Sequence, residues 1–537
     1  MNVLEQHSSR RGFLKIAGAM SVAAAFSGSL AACASKDSGT SNAPSGGGGS
    51  AAKDGTITAA ISYELGTNGY DPMTTSSALT VAANWHTMEG LTEIDPATRE
   101  TYAALAKELP KATGTSVDVT LRDGAVFHDG SPVTADDVVF SFERVKDPAN
   151  KSMYAQFIPF IEKVTKKDDK TVTIALKYPT AVLASRLAVV KIVPKAAAGD
   201  KKAFDAKPIG TGPWKMTDNG AASKQLVFER FDKYTGPKPA RAKSMKWQVI
   251  PDAATRTNAL QSKSVQAIDS VPYLSIDQLK ASAKVESVQG FGLLFAMFNH
   301  TAGNPMATKE NRQGFLYAID MEKVVKTALL GQATPATSFL QKEHPAYKQA
   351  KTVYALDAAK AKEMFAKTGL KKVRLLCTDH DWVKKCTPII SESLKAAGLE
   401  VEFTEKKSSD VYNTIDGKPA AYDVVIAPGD PSVFGNDPDL LLRWWYAGDT
   451  WTDQRMHWKG QESYAQVQAL LEEGLKATDE GKAKEAWGKV FDLVSEELPL
   501  YPLFHRKAPT GWDGGSLADF KPISLTGLSF VGVGSSK

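Results

Sequence analysis

The sequence predicts an α/β fold with more than one lobe, and three observations carry that prediction. Strand, helix and strand alternate through the C-terminal part: Lys372–Cys377, Pro388–Ala397, Leu399–Phe403 and, after an intervening segment, Tyr422–Ala427. Such α/β organisation seats ligands beyond the carboxyl ends of strands. The chain has 537 residues, too many for one hydrophobic core. Its apolar and charged fractions, 43% and 23%, are those of an ordinary globular protein.

Residues 1–32 read as a signal peptide. Arg10 and Arg11 precede the run Ile16–Leu30, which Ala, Gly and Ser interrupt and which ends in Leu30-Ala31-Ala32-Cys33. That run is too short and too weakly apolar to span a bilayer, which takes roughly 20 apolar residues. Ser9–Lys15 resembles a twin-arginine export signal, and the Leu-Ala-Ala-Cys ending resembles a lipobox, which would make Cys33 a lipidated first residue. Residues 33–55 contain Ser-Gly-Gly-Gly-Gly-Ser and can build no core, so they read as a flexible leash.

Beyond the leash, Thr56–Ile61 is rich in β-branched residues, and Ser116–Leu121 alternates polar with apolar. Lys170–Leu176 and Thr211–Met216 also read as strands. Helices are expected at Ala135–Arg144, capped by Thr134 with Asp136 and Asp137 in its first turn, and at Ala358–Phe365, capped by Asp357. The Pro388–Ala397 helix has Thr387 as its cap and proline at its first position, and Ser463–Ala477 has helical spacing.

Charge and motifs narrow the function. The formal charge is +5, and +3 once the leader is removed. With no basic block carrying interleaved aromatics, no nucleic-acid partner is expected. No GxSxG, HExxH or GxxxxGK[ST] motif is present, the histidines are scattered, and neither a metal, a cofactor nor an enzymatic activity is expected. His128-Asp129 reads as a turn ahead of Gly130, with a catalytic dyad as the alternative. Cys377 and Cys386 either form a disulfide between a strand end and the next helix, or stand as two buried thiols, or join His380 at a metal. Trp444, Trp445, Tyr446, Trp451 and Trp458 either pack a lobe or wall a ligand cleft. Gly429 and Asp430 end a strand, where an acid can either cap a turn or hold a ligand cation.

Taken in order, several landmarks resemble one family. Phe127–Arg144, with its FHDGSPVTADDVVFSFER run, is the most diagnostic; Gly69-Tyr70-Asp71-Pro72, Glu89-Gly90-Leu91, Pro208–Trp214, Arg312–Asp320 and Leu498–Arg506 follow the same pattern. The resemblance is to extracellular solute-binding family 5, the peptide- and nickel-binding proteins of ABC importers. It implies a two-lobed periplasmic-binding-protein-like clamshell (type II, cluster C-like) with an extra domain. Carried over, lobe I comprises 56–88, 205–289 and 498–537, the extra domain 89–204, and lobe II 290–497. The resemblance further implies a monomer outside the cell membrane that captures a short peptide and delivers it to a permease powered by a separate ATPase. Non-peptide solutes, or a surface binding module without transport, are the alternatives. In such a clamshell Asp430, or Asp437 as its rival, would pair with the peptide amine. Gly429, Trp382, Trp445, Tyr446 and Tyr70 would join the site. Dipeptide binders place an arginine in the loop that here reads Thr378–Trp382; this chain has none there, and His380 or Trp382 takes its neighbourhood.

Overall fold

The computed structural model describes residues 55–66, 69–111 and 114–537. The leader, Cys33 and nearly all of the expected leash lie outside the described residues.

Most of the expected elements form where the local chemistry places them. Thr56–Ile61 is a strand, and Ser116–Thr120 and Thr171–Leu176 pair antiparallel in a three-stranded sheet with Ile161–Lys166. Helix Ala135–Lys146 begins at Thr134, whose backbone N–H and hydroxyl both donate to Asp137 Oδ2, at 3.0 and 2.7 Å. Asp136 and Asp137 are thus the acidic first turn of a helix. Asp357 caps Ala358–Thr368 by accepting from Lys360 N.

Two boundaries differ from expectation. The strand expected from Thr211 starts at Trp214, because Gly210 and Gly212 press on the backbone of His86 and Thr87. The helix expected from Pro388 starts at Val383 and runs to Ala396, with Pro388 in its sixth position. Proline there removes a helical hydrogen bond, a cost the apolar face Val383, Cys386, Ile390 and Leu394 offsets by burial.

The central sheet has eleven strands. In spatial order they are Glu400–Lys406, Lys372–Thr378, Val424–Gly429, Lys284–Phe298, Leu500–Trp512, Ala267–Ile268, Thr56–Ile61, Ser244–Val249, Gln225–Arg230 and Trp214–Asn219, with Ala333–Pro335 pairing Leu500–Trp512 off that path. Lys284–Phe298 and Leu500–Trp512 are the longest, at 15 and 13 residues, and run antiparallel through its middle. They join the parallel block around Lys372–Thr378 to the block around Thr56–Ile61.

Their register breaks at one place that matters. Gln289 faces Lys507 and Leu293 faces His505, so Gly290-Phe291-Gly292 bulges opposite Arg506. A β-bulge bends its strand and re-aims side chains near it. Glycine is required at 290, because a Cβ there would stand 1.9 Å from Ser524 O.

A buried ion pair links two of the sequence landmarks. Arg144 forks onto Asp71 at 3.1 and 2.7 Å, both side chains nearly free of water. His128, in the diagnostic run, is a turn residue: its N–H donates to Gly210 O, and its ring contacts Gly212 O at 3.0 Å.

Candidate functional site

The ends of the central strands open into a cleft of about 640 Å³. Val424–Gly429 delivers Gly429 and Asp430 to it, the loop after Lys372–Thr378 delivers Asp379–Trp382, and the first strand delivers Ser62 and Tyr63. This is the position beyond strand carboxyl ends that α/β sheets favour.

Of the residues expected at a site, Gly429, Asp430, His380, Trp382 and Trp445 are brought together in this lining. Gly429 is fitted to Trp445: a Cβ there would stand 2.5 Å from Trp445 Cζ2. Trp445 packs on Phe291, Phe295, Phe339 and Trp451. The tryptophan cluster is therefore both core and wall. Trp444, Trp445 and Trp451 reach the cleft, while Trp458 is buried with its Nε1 donating to Ser463 Oγ at 2.8 Å.

Asp430 is both a cap and a cleft residue. Its Oδ1 accepts from Ser432 N at 3.2 Å and from Ser432 Oγ, and its Oδ2 accepts from Thr526 N and Oγ1 at 2.8 and 2.9 Å. The two Ser432 bonds cap the following turn, and the two Thr526 bonds tie the strand end to the C-terminal segment. Arg99 Nη2 donates to Ser432 O at 2.5 Å beside them.

Three expected site residues stand elsewhere. Asp437 does not line the cleft. It caps Pro438–Tyr446 through Leu440 N and takes a fork from the fully buried Arg186, Nε to Oδ2 at 3.0 Å and Nη2 to Oδ1. Burial alone would raise the Asp437 pKa, but the Arg186 charge and the hydrogen bonds hold it below the ordinary aspartate value. Its charge is spent inside the protein. Tyr446 is core: successive helix residues turn about 100°, so it points away from Trp445, and its hydroxyl donates to Leu500 O at 2.6 Å. Tyr70 is also buried, donating to Asn219 O at 2.6 Å.

The disulfide is corrected as well. Cys377 and Cys386 are free buried thiols, and Cys386 Sγ donates to Trp382 O at 3.3 Å. Starting the helix at Val383 puts Cys386 inside its first turn, bonded back to its own helix. Burial raises both thiol pKa values, that of Cys386 to about 12. Among the described residues, no three His, Cys, Asp or Glu side chains gather as a metal shell.

His380 sits in the cleft wall with Nδ1 3.1 Å from Thr378 Oγ1 and its ring 6.0 Å from that of Tyr63. Burial lowers its pKa to about 4, so it presents a neutral ring at neutral pH. Trp382 beside it packs edge-on to Phe504.

Sequence reading missed Arg506. It arrives from Leu500–Trp512, opposite the bulge, and lays its guanidinium over the Trp382 ring, Cζ 4.6 Å from the centroid. Its Nη2 donates weakly to Tyr63 Oη at 3.4 Å. The loop Thr378–Trp382 thus does meet an arginine, supplied by a strand more than a hundred residues later. Its only local signal was the Gly-Phe-Gly interruption of the facing strand.

Comparisons with known proteins give the fold and the family. The chain is 24% identical over 470 residues to the glutathione-binding protein GsiB of Escherichia coli (strain K12), covering 86% of this chain and 91% of that one. Among solved structures, the dipeptide binding protein from Pseudoalteromonas sp. SM9913 in complex with Met-Leu superposes with a TM-score of 0.78 at 19% identity, covering 90% of this chain and 100% of that one. The PBP AgaA from A. tumefacien R10 in complex with agropinic acid superposes with a TM-score of 0.79 at 24% identity, covering 90% and 99%. These likenesses show the fold: a two-lobed periplasmic-binding-protein-like clamshell of the type II, cluster C kind. Residues 100–465 match the family described as bacterial extracellular solute-binding proteins, family 5 Middle. The chain belongs to the family 5 extracellular solute-binding proteins.

Proposed function

We propose that the protein is the receptor of an ABC importer and that its cargo is a short peptide. The carrying observation is the cleft itself: about 640 Å³, walled by Trp382, Trp444, Trp445 and Trp451, with an acid at one strand end. Aromatic faces take varied side chains at low entropic cost, while strand ends offer backbone groups to an extended ligand. The Met-Leu complex of one structural neighbour supports a peptide. The agropinic acid complex of another supports a non-peptide solute as the second reading.

Lobe I (56–88, 205–289 and 498–537) and lobe II (290–497) meet at the two long strands, and the extra domain (89–204) touches both lobes, through Arg144 with Asp71 and Arg186 with Asp437. Ligand bridging the lobes shifts an open–closed equilibrium, and the closed form docks on a permease driven by a separate ATPase. Contacts across the cleft support this reading: Thr526 with Asp430, and Lys407 Nζ 3.9 Å from Glu64. Cys33 serves as the lipid attachment point that keeps the receptor near its permease. Asp430 holds the cargo amine, which replaces the two Thr526 donors on Oδ2 as it enters.

The test is mass spectrometry of small molecules released by gently denaturing the purified protein. Peptides are expected; a single non-peptide solute at stoichiometric amount overturns the cargo assignment. For the anchor, calorimetry compares a released peptide with its N-acetylated form. Equal affinity removes Asp430 from the amine role.

A further inference from the structure

Seven arginines are buried among the described residues, and six of them share one arrangement. Arg122, Arg144, Arg186, Arg256, Arg312 and Arg443 each have a carboxylate oxygen within 4 Å. That is what burial demands, since a buried charge without a partner is costly. The seventh, Arg506, is only 5% exposed and has no carboxylate within 4 Å among the described residues. Its direct neighbours are the Trp382 face and the hydroxyls of Tyr63 and Tyr273, none of them a carboxylate.

The acids that act on it from further away are committed elsewhere. Asp430 has its four acceptor positions filled by Ser432 and Thr526. Asp269 accepts from Ser62 N and Oγ at 2.7 Å each and faces Arg256 at 3.9 Å. They supply field to the guanidinium without supplying its fork. A guanidinium carries five N–H donors, and with its Cζ over the Trp382 ring and two tyrosine hydroxyls beside it, donors remain for a planar anion.

We propose that Arg506, held over Trp382, is the carboxylate-binding subsite of the cleft, and that the cargo fills it with a free carboxylate. The missing counter-ion of Arg506 is then the ligand. This deepens the peptide reading by giving the cargo's acidic end a seat, and it rests on that reading only for which molecule carries the carboxylate.

Geometry sets a scale for the cargo. Gly429 pairs Leu293, and Leu293 pairs His505, so one strand separates those that deliver Asp430 and Arg506. Two interstrand steps of about 4.8 Å span roughly 10 Å, close to two or three extended residues at about 3.3 Å each. An amine at Asp430 and a carboxylate at Arg506 therefore match a very short peptide.

The test uses the exported chain freed of carried ligand by unfolding and refolding, with acid and amide pairs as probes. One pair is trialanine and trialanine amide; the other is gluconate and gluconamide. Calorimetry is expected to show wild-type protein favouring an acid over its amide by about tenfold or more, the scale of a charge-assisted fork. Arg506→Gln erases that preference, and Arg506→Lys keeps part of it by retaining charge without the fork. If wild-type protein takes trialanine and its amide equally, the subsite is overturned while the peptide reading stands. If trialanine does not bind and gluconate does, with an acid preference that Arg506→Gln removes, the subsite stands and the peptide reading falls. If no acid in the panel binds, the subsite is overturned. Should Arg506→Gln not fold, the acid–amide comparison on wild-type protein decides alone.

Discussion

Replacing Arg186 by methionine should destabilise the protein without touching the ligand. Arg186 is fully buried in the short helix Leu183–Arg186, and its guanidinium reaches Asp437, Asp439 and the Phe157 carbonyl, the last two at 2.8 and 2.7 Å. Breaking one side of a buried ion pair costs roughly 3–5 kcal/mol. Here the lower end applies, because Asp439 keeps Arg443 at 2.8 Å and Asp437, 19% exposed, can draw water. A loss of about 3 kcal/mol over a folded region of roughly 480 residues lowers Tm by about 3 °C at pH 7. Acid should narrow the gap. The Asp437 pKa is held below its ordinary 3.8 in the folded protein, so the unfolded chain takes up that proton more readily. Stability from the pair is therefore full above the ordinary aspartate range and lost as pH falls through the folded value. Differential scanning calorimetry of both proteins at pH 7 and pH 3 checks this. An unchanged Tm at pH 7, or weakened cargo binding with normal stability, would refute the assignment of Asp437 to structure.

Gly429→Ala should cost about 1–3 kcal/mol, the usual range for overpacking, by driving a Cβ into Trp445; a shifted tryptophan emission with a lowered Tm is the expected readout, and an unchanged Tm counts against the contact. Alkylation of unreduced, unfolded protein followed by peptide mapping should label both Cys377 and Cys386, which stand as buried free thiols. In the folded protein both should react slowly, since burial holds their pKa values up. A disulfide-linked peptide pair would restore the staple.

Local chemistry was readable where neighbours in sequence are neighbours in space. Thr134 with Asp137, and Asp357 with Lys360 N, are pairings three residues apart, and both cap as expected. The strand ending at Gly429 and the loop after Thr378 could be placed because strand–helix alternation puts their ends on one side. Asp437 could not be separated from Asp430 by such rules. Both follow glycine and precede proline within a few residues, and both cap the next helical turn. What distinguishes them is Arg186, a cation 251 positions away that the sheet and helices bring to Asp437 alone.

Arg506 is the same lesson at the site. The segment Thr378–Trp382 itself contains no arginine. In the folded chain the arginine comes from the central antiparallel pair, whose other strand places three residues, Gly290-Phe291-Gly292, opposite this one. The bulge gives the site two things at once. It lets the backbone at Gly290 lie against Ser524, which steers the C-terminal segment so that Thr526 meets Asp430. It also packs Phe291 on Trp445 and His505, so one edge of the aromatic wall and the strand bearing Arg506 are set by the same irregularity. A cleft with an acid at one strand end and a cation two strands away needs the strand between them to carry small residues, or its side chains would fill the gap. Glycine at 292, where a Cβ would sit 3.8 Å from Asp430 Oδ2, meets that need.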